Sequence, residues 1–284
     1  MSKGRYRVLL LGNMEKPYVA EAIDEAVRAL RDRVDIGHCD LGEPAEDESV
    51  EADLGVVFGG DGAILAAARR VAAAGVPLLG VNMGRLGFMA EITSDQLLDS
   101  LSQIIENRPD PVERLMLHCE LRRKEQVIRR ARAVNDVVIS REAHSRLVEM
   151  ALYINSEKVT TYAADGLIVS TPTGSTAHSL AAGGPIVLPD MDALVITPIC
   201  PHTLSNRPLV IPGSSKVEIE VYSRSVEMAL TVDGQVFVRL HNHDRISVAR
   251  DETRLRLVRA TSRTFFETLR TKLRWGGQPY YAKG

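Results

Sequence analysis

The 284 residues include only three cysteines, no long apolar run and almost no net charge, and each shortage removes a class of function. Cys39, Cys119 and Cys200 are odd in number, widely spaced and outside any C-x-x-C arrangement, so neither a disulfide framework nor a zinc site is expected. They read as buried free thiols. The 35 basic and 37 acidic residues are spread along the chain and leave a formal net charge of −2. No domain-scale positive field exists for DNA or RNA, so nucleic acid is excluded as a partner. The longest apolar stretch, Val71–Val81 with Gly75, Pro77 and Gly80 counted in, falls far short of the roughly 20 residues that cross a bilayer. The N-terminal residues lack the apolar core of a signal peptide. No membrane partner is expected, and the expected location is the cytoplasm. Also missing are G-x-x-x-x-G-K-[ST] and G-x-G-x-x-G, which excludes a P-loop and the usual dinucleotide fingerprint.

What is present is a change of rhythm partway along the chain. The apolar run Val8–Leu11 ends in Gly12-Asn13, and Tyr18–Arg33 follows with helical spacing. Leu54–Phe58 then runs into Gly59-Gly60-Asp61-Gly62 and the alanine-rich helix candidate Ala63–Ala74, which Gly75 and Pro77 end. Leu78–Val81 again leads into a glycine-bearing loop, Asn82–Phe88, before a helix candidate at Ser94–Glu106. Residues 1–108 therefore predict an α/β N-terminal domain with a parallel sheet. After Pro109-Asp110-Pro111 the alternation becomes period two. Leu115, Leu117, Cys119 and Leu121 share one strand face, and similar alternation recurs at Val148–Ile154, Val217–Val221, Val226–Val232 and Ile246–Val248. Residues 109–262 predict a mostly antiparallel, β-rich C-terminal domain. Residues 263–284 predict a helix at Thr264–Leu273, able to return to the first domain, and a loose tail from Trp275.

Two clusters carry chemistry. Gly59–Gly62 lies where a strand hands over to a helix, so backbone N–H groups can approach a phosphate at the positive helix end. Asp61 is the side chain this loop presents. A carboxylate beside phosphate is electrostatically unwelcome unless it handles a proton or a metal ion; the alternative is an ordinary helix N-cap. The second cluster runs from Ala164 to Pro185. Within it, Ser170–Thr176 hold five Ser or Thr residues and a glycine, more than capping requires, followed by a helix of small residues.

Other conspicuous residues read as structural. His241-Asn242-His243-Asp244 predicts a hairpin turn rather than a metal site. Arg122-Arg123-Lys124 and Arg129-Arg130 flank a solvated hairpin tip, and Met116, Met150 and Met228 are packing residues on strands.

Gly59–Gly62, Gly80-Val81-Asn82 with Leu86-Gly87-Phe88, Asn135–Ile139, Asp165–Pro185, His202–Pro208 and Asp233-Gly234-Gln235 together resemble the NAD kinase family, in order from about Leu54 to Val248. The resemblance implies transfer of a phosphoryl group from ATP, or from inorganic polyphosphate, to the adenosine-ribose 2′-hydroxyl of NAD. It implies Mg²⁺ or another divalent metal carried mainly by substrate phosphates, with no dedicated protein cage, and a homodimer or homotetramer. Asp61 is then similar to the proton acceptor, with Gly62 on the phosphate-facing loop. Asn135 and Asp136 match a pair that holds the adenosine and ribose groups. Thr176, Ala177, His178, Ser179, Leu180 and Ala181 match the segment lining the dinucleotide site, and Phe88 is placed to contact the adenine face. Asp165 is similar to a residue at the nicotinamide end, supplied from a neighbouring subunit, while Arg146 and Gln235 correspond to polar positions around the ligand.

The family usually carries Glu where Asp136 stands and Tyr where His178 stands. The shorter carboxylate then reaches its hydroxyl through water or a shifted loop, and an imidazole, unlike a phenol, can gain a proton near neutral pH. Two other functions use similar parts. A diacylglycerol or sphingoid-base kinase shares the G-G-D-G loop but needs a membrane-contacting apolar patch, and a non-catalytic dinucleotide sensor would not need Asp61.

Overall fold

A computed structural model describes residues 5–41, 51–84, 87–142, 148–203, 205–222 and 227–275. The chain divides into two units, Met1–Val112 with Arg256–Gly284, and Glu113–Leu255. In chain order the first unit opens with β1 (Arg7–Gly12), α1 (Pro17–Leu30), β2 (Asp35–Asp40), β3 (Leu54–Phe58), α2 (Asp61–Val71), β4 (Leu78–Asn82), β5 (Ile92–Thr93) and α3 (Leu97–Asn107). The strands pair in parallel in the order β2-β1-β3-β4, with β5 beside the end of β4. Both faces of β1 and β3 are covered, which is why they read as unbroken apolar runs. α1 buries Val19, Ile23, Ala26 and Leu30, a stripe at helical spacing, and begins with Pro17, whose fixed φ suits a first turn. α2 buries Ile64, Leu65, Ala67, Ala68 and Val71, then tightens into a 3-10 turn that stops at Gly75.

The second unit contains β6 (Val112–Arg123), β7 (Gln126–Ala133), β8 (Asp136–Arg141), β9 (Val148–Ile154), β10 (Glu157–Ala164), β11 (Gly166–Ser170), the single-turn α4 (His178–Ala181), β12 (Ala193–Ile199), β13 (Leu209–Pro212), β14 (Val217–Tyr222), β15 (Met228–Val232), β16 (Val236–Leu240) and β17 (Arg245–Leu257). One antiparallel sheet runs β13-β12-β11-β8-β15-β16. Other strands form β10-β9-β14-β17, with β6 joining β17 to β7. Inward residues of both sets, among them Leu117, Ile139, Met150, Val169, Ile219 and Val248, form one core. The chain then returns to the first unit, where Leu257 pairs with Leu78 and α5 (Phe265–Leu273) follows. The expected fold class, parallel α/β followed by antiparallel β, is the one observed.

Several local expectations change. The sequence does not predict β2: its segment DIGHCD is polar and has no buried residue, and backbone pairing to β1 supplies what its side chains do not. Of the three free thiols only Cys119 is buried; Cys39 is half-buried and Cys200 exposed. The turn at His241–Asp244 is not a hairpin. It carries the chain from β16, paired to β15, into β17, paired to β14, so it links different pairings. Asp244 is fully buried there, bound by the Arg123 guanidinium through Nε (3.0 Å) and Nη2 (2.9 Å), which takes Arg123 out of the solvated tip. Met116, Met150 and Met228 are buried as expected. Val226, part of the β15 expectation, and the tail beyond Trp275 lie outside the described residues.

Candidate active site

In the first unit β3 ends at Phe58, Gly59-Gly60 turns the chain, and α2 starts at Asp61. Gly60 occupies the N-cap in an extended conformation, so Asp61 is the first helical residue and its carboxylate does not cap the helix. It turns instead to the segment after β4. Oδ2 accepts the Phe88 N–H at 2.8 Å, and Oδ1 accepts the Met89 N–H at 3.0 Å. A Cβ on Gly87 would lie 2.0 Å from Asp61 Oδ1, so only glycine permits this approach. Two amide donors fix the carboxylate plane, and each oxygen keeps lone-pair capacity for a further proton donor. Space is open at the loop, since a Cβ on Gly60 would meet nothing within 4 Å. Gly62 is exposed beside it, at the positive end of the α2 dipole. Phe88 is half-buried, with its ring against Phe265 of α5 and Lys272 above it.

In the second unit the focus is the end of β8. Asp233, in the turn after β15, accepts the N–H groups of Val134 (3.0 Å), Asn135 (2.8 Å) and Asp136 (3.2 Å), fixing the backbone of this pair. Gly174 presses on the same backbone, where a Cβ would sit 2.0 Å from the Asn135 carbonyl oxygen. The loop 171–187 is thereby laid over Asn135 and Asp136. Asp136 Oδ2 meets His178 Nδ1 at 3.3 Å, while Asp136 Oδ1 is buried without a hydrogen-bond partner. Burial pushes the Asp136 carboxyl up to about 6; nearby His178 opposes the rise and Asp233 adds to it. Ser170, directly across from Asp136 on β11, and Thr173 also carry buried, unpartnered hydroxyls.

The hydroxyl-rich loop serves itself more than its composition implied. Thr171 Oγ1 donates to the Val134 carbonyl and accepts from Gly174 N–H, Ser175 Oγ bridges Pro172 and Val187, and Ser179 Oγ pairs with Thr197 Oγ1. Thr176 bonds back to the Thr173 carbonyl. His178 and Ala181 are exposed, Ala177 and Leu180 half-buried, and Gln235 is exposed in the turn beside Asp233. The structure thus gathers Asn135, Asp136, Thr176–His178 and the Asp233–Gln235 turn.

Asp165 stands apart. It precedes β11 while Ser170 ends it, so it lies roughly 17 Å from the Asp136 end at the usual strand rise, paired with Arg141 Nε at 2.7 Å. Arg146 lies outside the described residues. Sequence reading missed the positioning carboxylate of Asp233 and the Arg141 partner of Asp165. An Asp-Gly pair between strands signals the turn but not its three amide bonds.

Known proteins resemble both parts of the chain. A family model described as the ATP-NAD kinase N-terminal domain matches residues 14–109, and one described as the ATP-NAD kinase C-terminal domain matches 134–260. The NAD kinase of Geobacter metallireducens is 48% identical over 225 residues, covering 79% of this chain and 80% of its own. That of Moorella thermoacetica is 41% identical over 282 residues, 95% of this chain and 90% of its own. Among solved structures, yeast NADH kinase complexed with NADH superposes with a TM-score of 0.85 at 27% identity, covering 99% of this chain and 91% of that one. Fold and matched domains define a two-domain kinase. Within that class, the chain belongs to the NAD kinase family.

Proposed function

We propose that this enzyme transfers the γ-phosphoryl group of ATP to the 2′-hydroxyl of the adenosine ribose of NAD, forming NADP and ADP. The carrying observation is Asp61, an ionisable, half-buried group at a glycine loop, oriented by two backbone amides. The ribose oxygen attacks the γ-phosphorus, the bond from that phosphorus to the β-γ bridging oxygen breaks, and the hydroxyl proton passes to the Asp61 carboxylate. The N-terminal end of α2, with Gly62, faces the phosphates. A divalent metal, of which Mg²⁺ is the natural choice, would neutralise phosphate charge. Such an ion is held chiefly by the substrate phosphate oxygens and few protein ligands.

NAD is held by Asn135 and Asp136, where the unpartnered Asp136 Oδ1 suits a ribose hydroxyl donor. Thr176–Ala181 line the dinucleotide, with Phe88, Arg146 and Gln235 contributing around it. The distance of Asp165 from this cluster favours its service to the nicotinamide end of a neighbouring subunit in a homodimer or homotetramer. Among the described residues no helix is long and apolar enough to cross a membrane, and we place the enzyme in the cytoplasm. The test is incubation of the purified protein with NAD, ATP and Mg²⁺, followed by chromatography for NADP. NADP formation at a rate far above phosphorylation of diacylglycerol is expected; comparable lipid turnover would overturn the proposal.

A further inference from the structure

We propose that the C-terminal helix α5 sets the orientation of the catalytic carboxylate, with Phe265 and Lys272 acting as positioning residues that clamp Phe88. This rests on Asp61 being the base. The Phe265 and Phe88 ring centroids lie 6.2 Å apart and tilted by 43°, and Lys272 Nζ sits 5.4 Å from the centre of the Phe88 ring. Phe88 and its neighbour Met89 supply the two N–H groups that hold Asp61. The segment from Gly87 to Glu91 is thus gripped from two sides. Asp61 holds its backbone, while Phe265 and Lys272 hold the Phe88 ring, and Arg259 Nε (3.2 Å) with Thr261 Oγ1 (3.2 Å) hold the Glu91 carboxylate.

α5 is itself anchored. Thr264 and Glu267 form a reciprocal cap at its start, and Thr268 and Leu269 are buried. The gripped segment is not fully packed, since Gly87, Phe88, Ala90, Glu91, Arg263 and Thr268 line a cavity of about 20 Å³, room for one water. Slack beside Phe88 means that its backbone amides depend on the clamp for their direction, and sub-ångström to 1 Å displacements of a reacting group are costly to rate.

The experiment measures single-turnover NADP formation and NAD affinity for Phe265→Ala, Lys272→Ala and Lys272→Arg, each also combined with Asp61→Asn, with thermal unfolding in parallel. Phe265→Ala and Lys272→Ala should lower turnover by about three- to tenfold, more than they lower NAD affinity through the Phe88 ring. Lys272→Arg, which keeps a cation over the ring, should restore most of the rate. In the Asp61→Asn background the clamp substitutions should cause no further loss, because the group they orient no longer accepts a proton. Lys272 is exposed, so its variants test the clamp even if Phe265→Ala fails to fold. Parental turnover of folded Lys272→Ala, or an equal loss in the Asp61→Asn background, overturns the clamp. Near-parental turnover of Asp61→Asn alone overturns the base itself and the clamp with it.

Discussion

His178 Nδ1 lies 3.3 Å from Asp136 Oδ2, setting an imidazole with 61% of its side chain exposed against a carboxylate with 1% exposed. The imidazole is the polar partner of one Asp136 oxygen, and the other oxygen is left without any. A desolvated carboxylate in this position sits near the balance between its two protonation states, which burial has moved up to about 6. His178 from α4 and Asp233 from the turn after β15 are the neighbouring titratable groups acting on it.

The first consequence is a pH-dependent grip on NAD. In the role proposed for Asp136, the ionised carboxylate above pH 6 accepts from a ribose hydroxyl that reaches the buried Oδ1; below it, a proton on the carboxyl removes part of that capacity. NAD affinity should weaken about three- to fivefold between pH 7.5 and pH 5.5, the extent to which a carboxyl at about 6 takes up a proton over that interval. Replacing His178 with Tyr removes the imidazole that opposes the upward shift, so the fall in affinity should begin at higher pH. Calorimetric titration with NAD across this range checks both statements. Superimposable, flat profiles would remove the pair from nucleotide binding.

A second consequence concerns stability, with a sign opposite to that of a salt-bridged carboxylate. Because the folded-state value lies above the unfolded one, the native protein holds the extra proton between the ordinary value of 3.8 and about 6. This contribution to stability is therefore present at low pH and lost as pH rises through about 6. At about 1.4 kcal/mol per unit the ionised carboxylate costs at most about 3 kcal/mol at pH 8. Asp136→Asn should gain stability relative to the parent on going from pH 4 to pH 8, read by urea denaturation at each pH. A relative loss over that interval would contradict the assigned direction.

Gly87 supplies a third test, because its Cβ position is occupied by the Asp61 carboxylate. Gly87→Ala must displace either Asp61 or the backbone that holds it. Turnover should fall at least about tenfold, since reacting groups tolerate little misplacement, with NAD affinity less affected. Steady-state kinetics with NAD varied at saturating ATP separates the two effects, and an unchanged kcat would show that the Asp61–Phe88 geometry is dispensable.

Much of this was legible in the residues because local rules and tertiary demands agreed. The buried runs Val8–Leu11 and Leu54–Phe58 announced parallel strands, and Gly59–Gly62 announced a strand-to-helix loop whose helix begins at Asp61. The strands at Gln126–Ala133 and Asp35–Asp40 were hidden, since exposed, charge-rich edges lack the alternation that burial imposes. The site was legible as a set of segments but not as a set of bonds. Asp233 fixing the Asn135–Asp136 backbone, Arg141 pairing with Asp165, and Phe88 lying against α5 all join residues 24 to 177 positions apart in the chain, beyond the reach of any local pattern.

In the proposed mechanism Asp61 accepts the ribose proton during transfer. Asp61→Asn keeps nearly the same shape and removes that capacity, and general-base contributions are typically about 10²–10⁴-fold. A loose transition state, in which the proton leaves late, places the loss toward the lower end. The direct measurement is single-turnover NADP formation by Asp61→Asn at saturating NAD and ATP, alongside its NAD affinity and thermal unfolding. A loss of at least roughly 10²-fold in turnover is expected in a folded protein that still binds NAD. Near-parental turnover in that protein would contradict it.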